Sequence, residues 1–246
     1  MTGPPLPSFD DVAARVGQAL ASPRPEASSA GFAEWSTTRL VFTAALIESA
    51  FTRLGWSAAY VGGGVLQFHL GGEGYQTGDV DLVVAQGTGL PVPRAMLDDV
   101  MTLLGGRASG SRHWVFGTGA NELLVEIPNH EIPADPDRIA VAGDLVLTMD
   151  SVEHVVAGRI VEFHNTGNAD YALQAIHALR TLGDRIDRSR LESCIAAERI
   201  KDAGAILMAL VARPGNISTE IIEYAHEMLR KKRPWCDLRD ATCGPE

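Results

Sequence analysis

The sequence predicts a sheet-and-helix domain, of the α/β or α+β class, followed by a region that is all helix. Three observations carry this. Short apolar runs of strand length alternate with helical spacing as far as residue 149. Glycine clusters punctuate those runs, at Gly62-Gly63-Gly64, Gly105-Gly106 and Gly117-Thr118-Gly119. From Asp150 onward the apolar spacing is helical. The expected division is a flexible or helical N-terminal segment over 1–31, an α/β domain over 32–149 and a helical domain over 150–246.

Met1 to Pro7 is rich in Pro and Gly and expected to fray. Asp10 to Ala21 has amphipathic helical spacing, and Pro23 to Gly31 reads as a linker. Trp35 to Leu54 predicts a long helix, with Leu40, Ala44, Ile47 and Phe51 on one face and Gly55 as its stop. Ser57 to Val61 predicts a strand that runs into the three glycines, which open a helix over Val65 to Leu70. Val80 to Ala85 is an apolar strand, and Arg94 to Leu104 a helix closed by Gly105-Gly106. Trp114 to Phe116 and Glu122 to Ile127 flank a Gly- and Asn-containing turn, which signals a hairpin. Val141 to Thr148 predicts one further strand. Helices are then expected over Val152 to Phe163, Ala169 to Leu182, Arg188 to Val211 and Ser218 to Lys232, with Asp150-Ser151-Val152-Glu153 spaced as a capping box.

Bulk properties narrow the function classes. Of 246 residues, 46% are hydrophobic and 21% charged, which suits a globular protein able to bury a core. The net charge of -10 argues against broad nucleic-acid coating, which needs many cations facing phosphates. Cys194, Cys236 and Cys243 fit neither a disulfide framework nor a metal-ligand spacing, as expected in a reducing compartment. No secretory signal and no apolar run of about 20 residues is evident, so a cytoplasmic protein without membrane association is expected.

The chemistry concentrates around the glycines and the strand that follows. Side chains alternate along a strand, so Asp79 and Asp81 share one face while Val80, Leu82 and Val84 share the other. Two carboxylates at a strand end make a site for Mg²⁺, which takes oxygen ligands and substrate phosphates. Glu126 is the candidate third carboxylate, because it interrupts the apolar run Leu123 to Ile127 and a charge there needs a reason. Gly62, Gly63 and Gly64 carry no side chains, so a phosphate can approach backbone N–H groups at the start of the next helix. His69 and His130 lie near these segments in sequence and are secondary candidates. Arg230-Lys231-Lys232-Arg233 is the densest basic run and reads as a helix end that complements its dipole, or as a phosphate-contacting edge. Neither a phosphate-binding Gly-x-x-x-x-Gly-Lys-Ser/Thr nor a hydrolase Gly-x-Ser-x-Gly is present.

In their order and spacing, Gly62-Gly63, Asp79-Val80-Asp81 and Glu126 resemble the motif of the nucleotidyltransferase (DNA polymerase β-like) superfamily. In more detail the chain looks like small prokaryotic members related to abortive-infection toxins of the type IV toxin–antitoxin class. The resemblance implies an α+β fold: a minimal nucleotidyltransferase mixed sheet with flanking helices, followed by a C-terminal helical region. It implies Mg²⁺ or Mn²⁺ held by Asp79, Asp81 and Glu126, and a nucleoside triphosphate placed by Gly62, Gly63 and Gly64. It also implies that Arg159 touches nucleotide phosphates and that Asp170 completes the pocket. The acceptor would be an RNA, protein or small-molecule hydroxyl, and an antitoxin or toxin partner would be expected. The chain departs from the pattern in Gln76-Thr77-Gly78, where many relatives place cations before the first Asp. That departure keeps open a catalytically weak module acting through protein partners.

Overall fold

Each element follows from local chemistry. The computed structural model describes residues 7–26, 31–72, 74–87, 89–142 and 145–232. Arg233, Cys236, Cys243, most of the Pro- and Gly-rich start and residues 27–30 of the expected linker lie outside the described residues. The chain divides into two compact units, Met1–Ser151 and Val152–Glu246.

In the first unit, α1 (Phe9–Ala21) starts with a capping box: Oγ of Ser8 accepts from N of Asp11, and the Asp11 carboxylate accepts from N of Ser8. It buries Val12, Val16 and Leu20 and packs on α2 (Gly31–Arg53) and α4 (Arg94–Leu103). Leu40, Ala44, Ile47 and Phe51 of α2 are buried, as their spacing predicts. Gly55, with φ of 74°, turns the chain into β1 (Trp56–Val61). After β1 come α3 (Gly63–Leu70), β2 (Asp79–Gln86), α4, β3 (Gly106–Ala108), β4 (His113–Phe116), β5 (Leu123–Glu126), β6 (Asp137–Ala142) and β7 (Leu145–Met149).

Among the described residues seven strands form one sheet, ordered β3-β4-β5-β2-β1-β7-β6. It is mixed: β2 pairs antiparallel with β1 and parallel with β5, and β1 pairs parallel with β7. The fold is therefore α+β, a mixed sheet with flanking helices and a helical C-terminal region. The expected hairpin is present, with β4 and β5 paired antiparallel from His113↔Glu126 to Phe116↔Leu123.

Two expectations need correction. The single strand over Val141 to Thr148 is two antiparallel strands, β6 and β7. β6 was hidden because it lies at the sheet edge, where no residue is fully buried and the apolar alternation is weak. In the second unit, the helix expected over Arg188 to Val211 is broken into α7 (Arg188–Ala197) and α8 (Lys201–Ala212). Arg199 adopts a φ of 59°, and N of Ile200 donates to the carbonyl of Ile195, which closes α7. The other helices of this unit are α5 (Val152–Thr166), α6 (Ala169–Leu182) and α9 (Thr219–Arg230). Glu153, expected as a capping-box partner, is buried in α5, where its Oε1 accepts from N of Asp187 at 2.9 Å. Among the described residues no helix is long and apolar enough to cross a membrane.

Candidate active site

The sheet register brings Asp81 and Glu126 side by side. In the parallel β2–β5 pair, Asp81 lies opposite Glu126 and Asp79 opposite Leu124. On the other side of β2, Asp81 lies opposite Val61, the last residue of β1. Asp79, Asp81 and Glu126 are half-buried, whereas Val80 and Val125 between them are fully buried. The period of two thus sets the three carboxylates on the half-open face and an apolar layer on the other.

Gly62 follows Val61 directly and is the N-cap of α3, with φ of 70° and ψ of -146°. That conformation is nearly confined to glycine. A methyl group at Gly62 would lie 2.5 Å from Oδ2 of Asp81. Gly63 and Gly64 form the first turn of α3 and are buried. The Tyr60 hydroxyl and ring fill the space where a Gly64 side chain would stand. Burial, and then the carboxylates of Asp81 and Asp79, push the Tyr60 phenol well above its usual range, so it is a neutral O–H wall.

The segment before Asp79 is pinned by Gln67, which is fully buried. Its Nε2 donates to Oγ of Ser36 at 3.1 Å and Oγ1 of Thr37 at 3.0 Å, and its Oε1 accepts from N of Thr77 at 2.7 Å. The backbone of Thr77, between Gln76 and Gly78, is therefore held by an uncharged hydrogen bond.

Burial, and then the neighbouring charge of Glu126, raise the Asp79 carboxyl above its ordinary value, with His113 acting against them. Nε2 of His113 stands 3.3 Å from Oε1 of Glu126. His113 was not singled out by sequence. Counting three residues back from Phe116 and three forward from Leu123 across the predicted hairpin would have paired it with Glu126.

The donor set is carboxylate oxygen, which is what a hard divalent cation takes. Asp79 and Asp81 fit such an ion by chemistry and by sharing one strand face. Among the described residues, no group of three or more His, Cys, Asp or Glu side chains stands in an arrangement that could hold a metal ion. Glu126 is drawn toward His113 in this structure.

Arg159 and Asp170 belong to the helical unit. Arg159 in α5 is half-buried, with Cζ 5.4 Å from the ring centroid of Tyr171. Asp170 is exposed in the first turn of α6, where its N donates to Oδ1 of Asn168 at 2.9 Å. His69 sits in the last turn of α3, edge-on to Phe68. His130 lines a cavity beside Val84, Pro91 and Arg94, toward the end of β2 away from Asp79.

No family model matches the chain, and no curated protein sequence matches it. Among solved structures, the chain is similar to the solution structure of the antibiotic-resistance factor ANT(2'')-Ia. The two are 17% identical, with 71% of this chain and 98% of that chain covered, at a TM-score of 0.44.

Proposed function

We propose that this chain is a cytoplasmic metal-dependent nucleotidyltransferase, which moves a nucleotidyl group from a nucleoside triphosphate to an RNA, protein or small-molecule hydroxyl. The observation that carries this reading is the register of Val61, Asp81 and Glu126 across β1, β2 and β5, with the bare backbone of Gly62 against the Asp81 carboxylate.

Asp79 and Asp81 would hold Mg²⁺ or Mn²⁺, and Glu126 would join them by turning from His113. The bound ion would supply charge neutralisation at the phosphates. The N–H groups of Gly63 and Gly64, at the positive end of α3, orient the triphosphate. The Tyr60 ring keeps water from beneath that turn. The acceptor hydroxyl gives up its proton to solvent and its oxygen forms a bond to the α-phosphorus as the bond to pyrophosphate breaks. Such chemistry works through positioning and charge neutralisation and needs no covalent nucleophile.

The test is transfer of radiolabelled nucleotide by wild type and by Asp81→Asn. Loss of label in the variant, with its fold intact by circular dichroism, is the expected result. Equal labelling by both would remove the mechanism.

A second reading is favoured by the uncharged Gln76-Thr77-Gly78 and by the pairing of Glu126 with His113. In it the chain is a catalytically weak module that acts through protein partners, such as the other half of a toxin–antitoxin pair. Calorimetry with Mg²⁺ and each of the four ribonucleoside triphosphates separates the two. Heat with any one of them supports the transferase.

A further inference from the structure

We propose that the cavity between α2 and the segment preceding Asp79 binds a small oxyanion, the phosphate or carboxylate group of a small molecule, through Arg24 and Arg39. Its lining reaches Gly78, next to Asp79, but includes none of Asp79, Asp81 and Glu126. The cavity holds about 300 Å³, within the range of small-ligand pockets. Arg24, Phe32, Trp35 and Arg39 line it together with Gln76 and Thr77. A neighbouring cavity of about 360 Å³ shares Trp35 and Arg39 with it.

Three observations point to an anion. Nε1 of Trp35 and Nε of Arg39 are buried and have no hydrogen-bond partner among the described residues. Native structures leave few such donors, because each costs about 1–3 kcal/mol in lost solvation. Arg24 and Arg39 also stand close enough for one charge to act on the other: burial, and then Arg24, lower the pKa of Arg39. Finally, the acid that lines the cavity, Glu122, is already paired with Arg107. Two guanidinium groups lining one space suit an oxyanion, which accepts charge-assisted hydrogen bonds.

The rings hold the cations in place. Cζ of Arg24 lies 5.3 Å from the Phe32 centroid, and Cζ of Arg39 lies 5.2 Å from that of Trp35. Nη2 of Arg39 also donates to the carbonyl of Asn121, which fixes the guanidinium.

The experiment is titration of the full chain with inorganic phosphate and with citrate, in EDTA and without nucleotide, followed by tryptophan fluorescence and calorimetry. Saturable binding of at least one, at or below about 1 mM, is expected. Tighter phosphate assigns a phosphoryl ligand; tighter citrate assigns a carboxylate. Arg24 is exposed, so Arg24→Gln leaves the fold intact and is expected to weaken binding by about fivefold or more. Arg39→Lys keeps the charge, loses the fork and is expected to weaken it further. Asp81→Asn is expected to bind the anion as wild type does, so failure of the transferase reading would leave this one standing. No saturable binding below about 10 mM, or equal binding by wild type, Arg24→Gln and Arg39→Lys, would overturn the proposal.

Discussion

Gly62 and Asp81 are in such close approach that one added methyl group on the glycine would meet the aspartate carboxylate at 2.5 Å. The glycine also holds a φ of 70° that a side chain would strain. Gly62→Ala therefore incurs two penalties, about 1–3 kcal/mol of backbone strain and the displacement of the Asp81 carboxylate. Lower stability in urea together with loss of nucleotide transfer is expected. A stable variant with full transfer would separate the glycine from the site.

Gly64 is confined for a different reason. Its backbone is ordinary helix, but the Tyr60 ring occupies the space above its Cα. Gly64→Ser would require the fully buried Tyr60 to move, and overpacking of this kind costs about 1–3 kcal/mol or more. The loss is expected to be visible in thermal unfolding. A melting temperature equal to that of the wild type would place the tyrosine elsewhere.

Glu126 is shared between two roles. Its Oε1 faces Nε2 of His113 at 3.3 Å, and its charge raises the pKa of Asp79. His113→Ala frees the carboxylate, so Mg²⁺ binding in the presence of nucleotide is expected to tighten by roughly threefold, on the scale of a half-exposed ion pair. Calorimetric titration of the variant with Mg²⁺ checks this, and weaker binding would make His113 a support of the site rather than a competitor.

Much of this arrangement was legible in the chain because it rests on short-range rules. The period of two put Asp79 and Asp81 on one face, and Gly117 to Asn121 signalled the hairpin that carries Glu126. The lateral neighbours of Asp81 were not legible, because strand order depends on contacts far apart in sequence. β6 escaped notice for want of buried positions, and the α7–α8 break because Arg199 adopts a left-handed conformation that arginine rarely takes. Arg39 was invisible as a cavity-lining residue: its helix gives it a position, and only the packed loop of residues 76–78 and Glu122 gives it a cavity.

Glu48 supplies a pH dependence unrelated to the acidic face. It is buried in α2, and its Oε2 accepts from N of Thr148 in β7 at 2.7 Å. Burial raises its pKa to about 7, against the opposing pull of the Thr148 hydrogen bond and of Arg138. A raised carboxyl is favoured in its protonated form, so its contribution is fully present below about pH 4.5 and is lost as pH rises through about 7. The loss should amount to roughly 3 kcal/mol at alkaline pH. Glu48→Gln keeps an acceptor for Thr148 without the charge. Urea unfolding across pH 4 to 9 is expected to show wild type weakening relative to this variant on that rise, and parallel curves would refute a buried, raised acid.

Arg180 closes the C-terminal end of α8 from α6. Its Nη2 donates to the carbonyls of Leu210 at 3.0 Å and Arg213 at 2.5 Å, its Nε to Val211 at 3.1 Å and its Nη1 to Gly215 at 2.9 Å. Leu210, Val211 and Arg213 are at the end of this helix and its cap, and the cation also sits at the negative end of the dipole. Arg180→Met removes all four bonds and the charge. A cost on the order of 2 kcal/mol follows, since such bonds net about 1 kcal/mol each and part of this end remains solvated. Arg180→Lys restores the charge but not the planar fork, so it should recover less than half of that loss. Hydrogen exchange of α8 amides is the discriminating measurement. Faster exchange in Arg180→Met than in Arg180→Lys, and in both than in wild type, is the order the bonds require; unchanged exchange would mean that water serves these carbonyls as well as the guanidinium does.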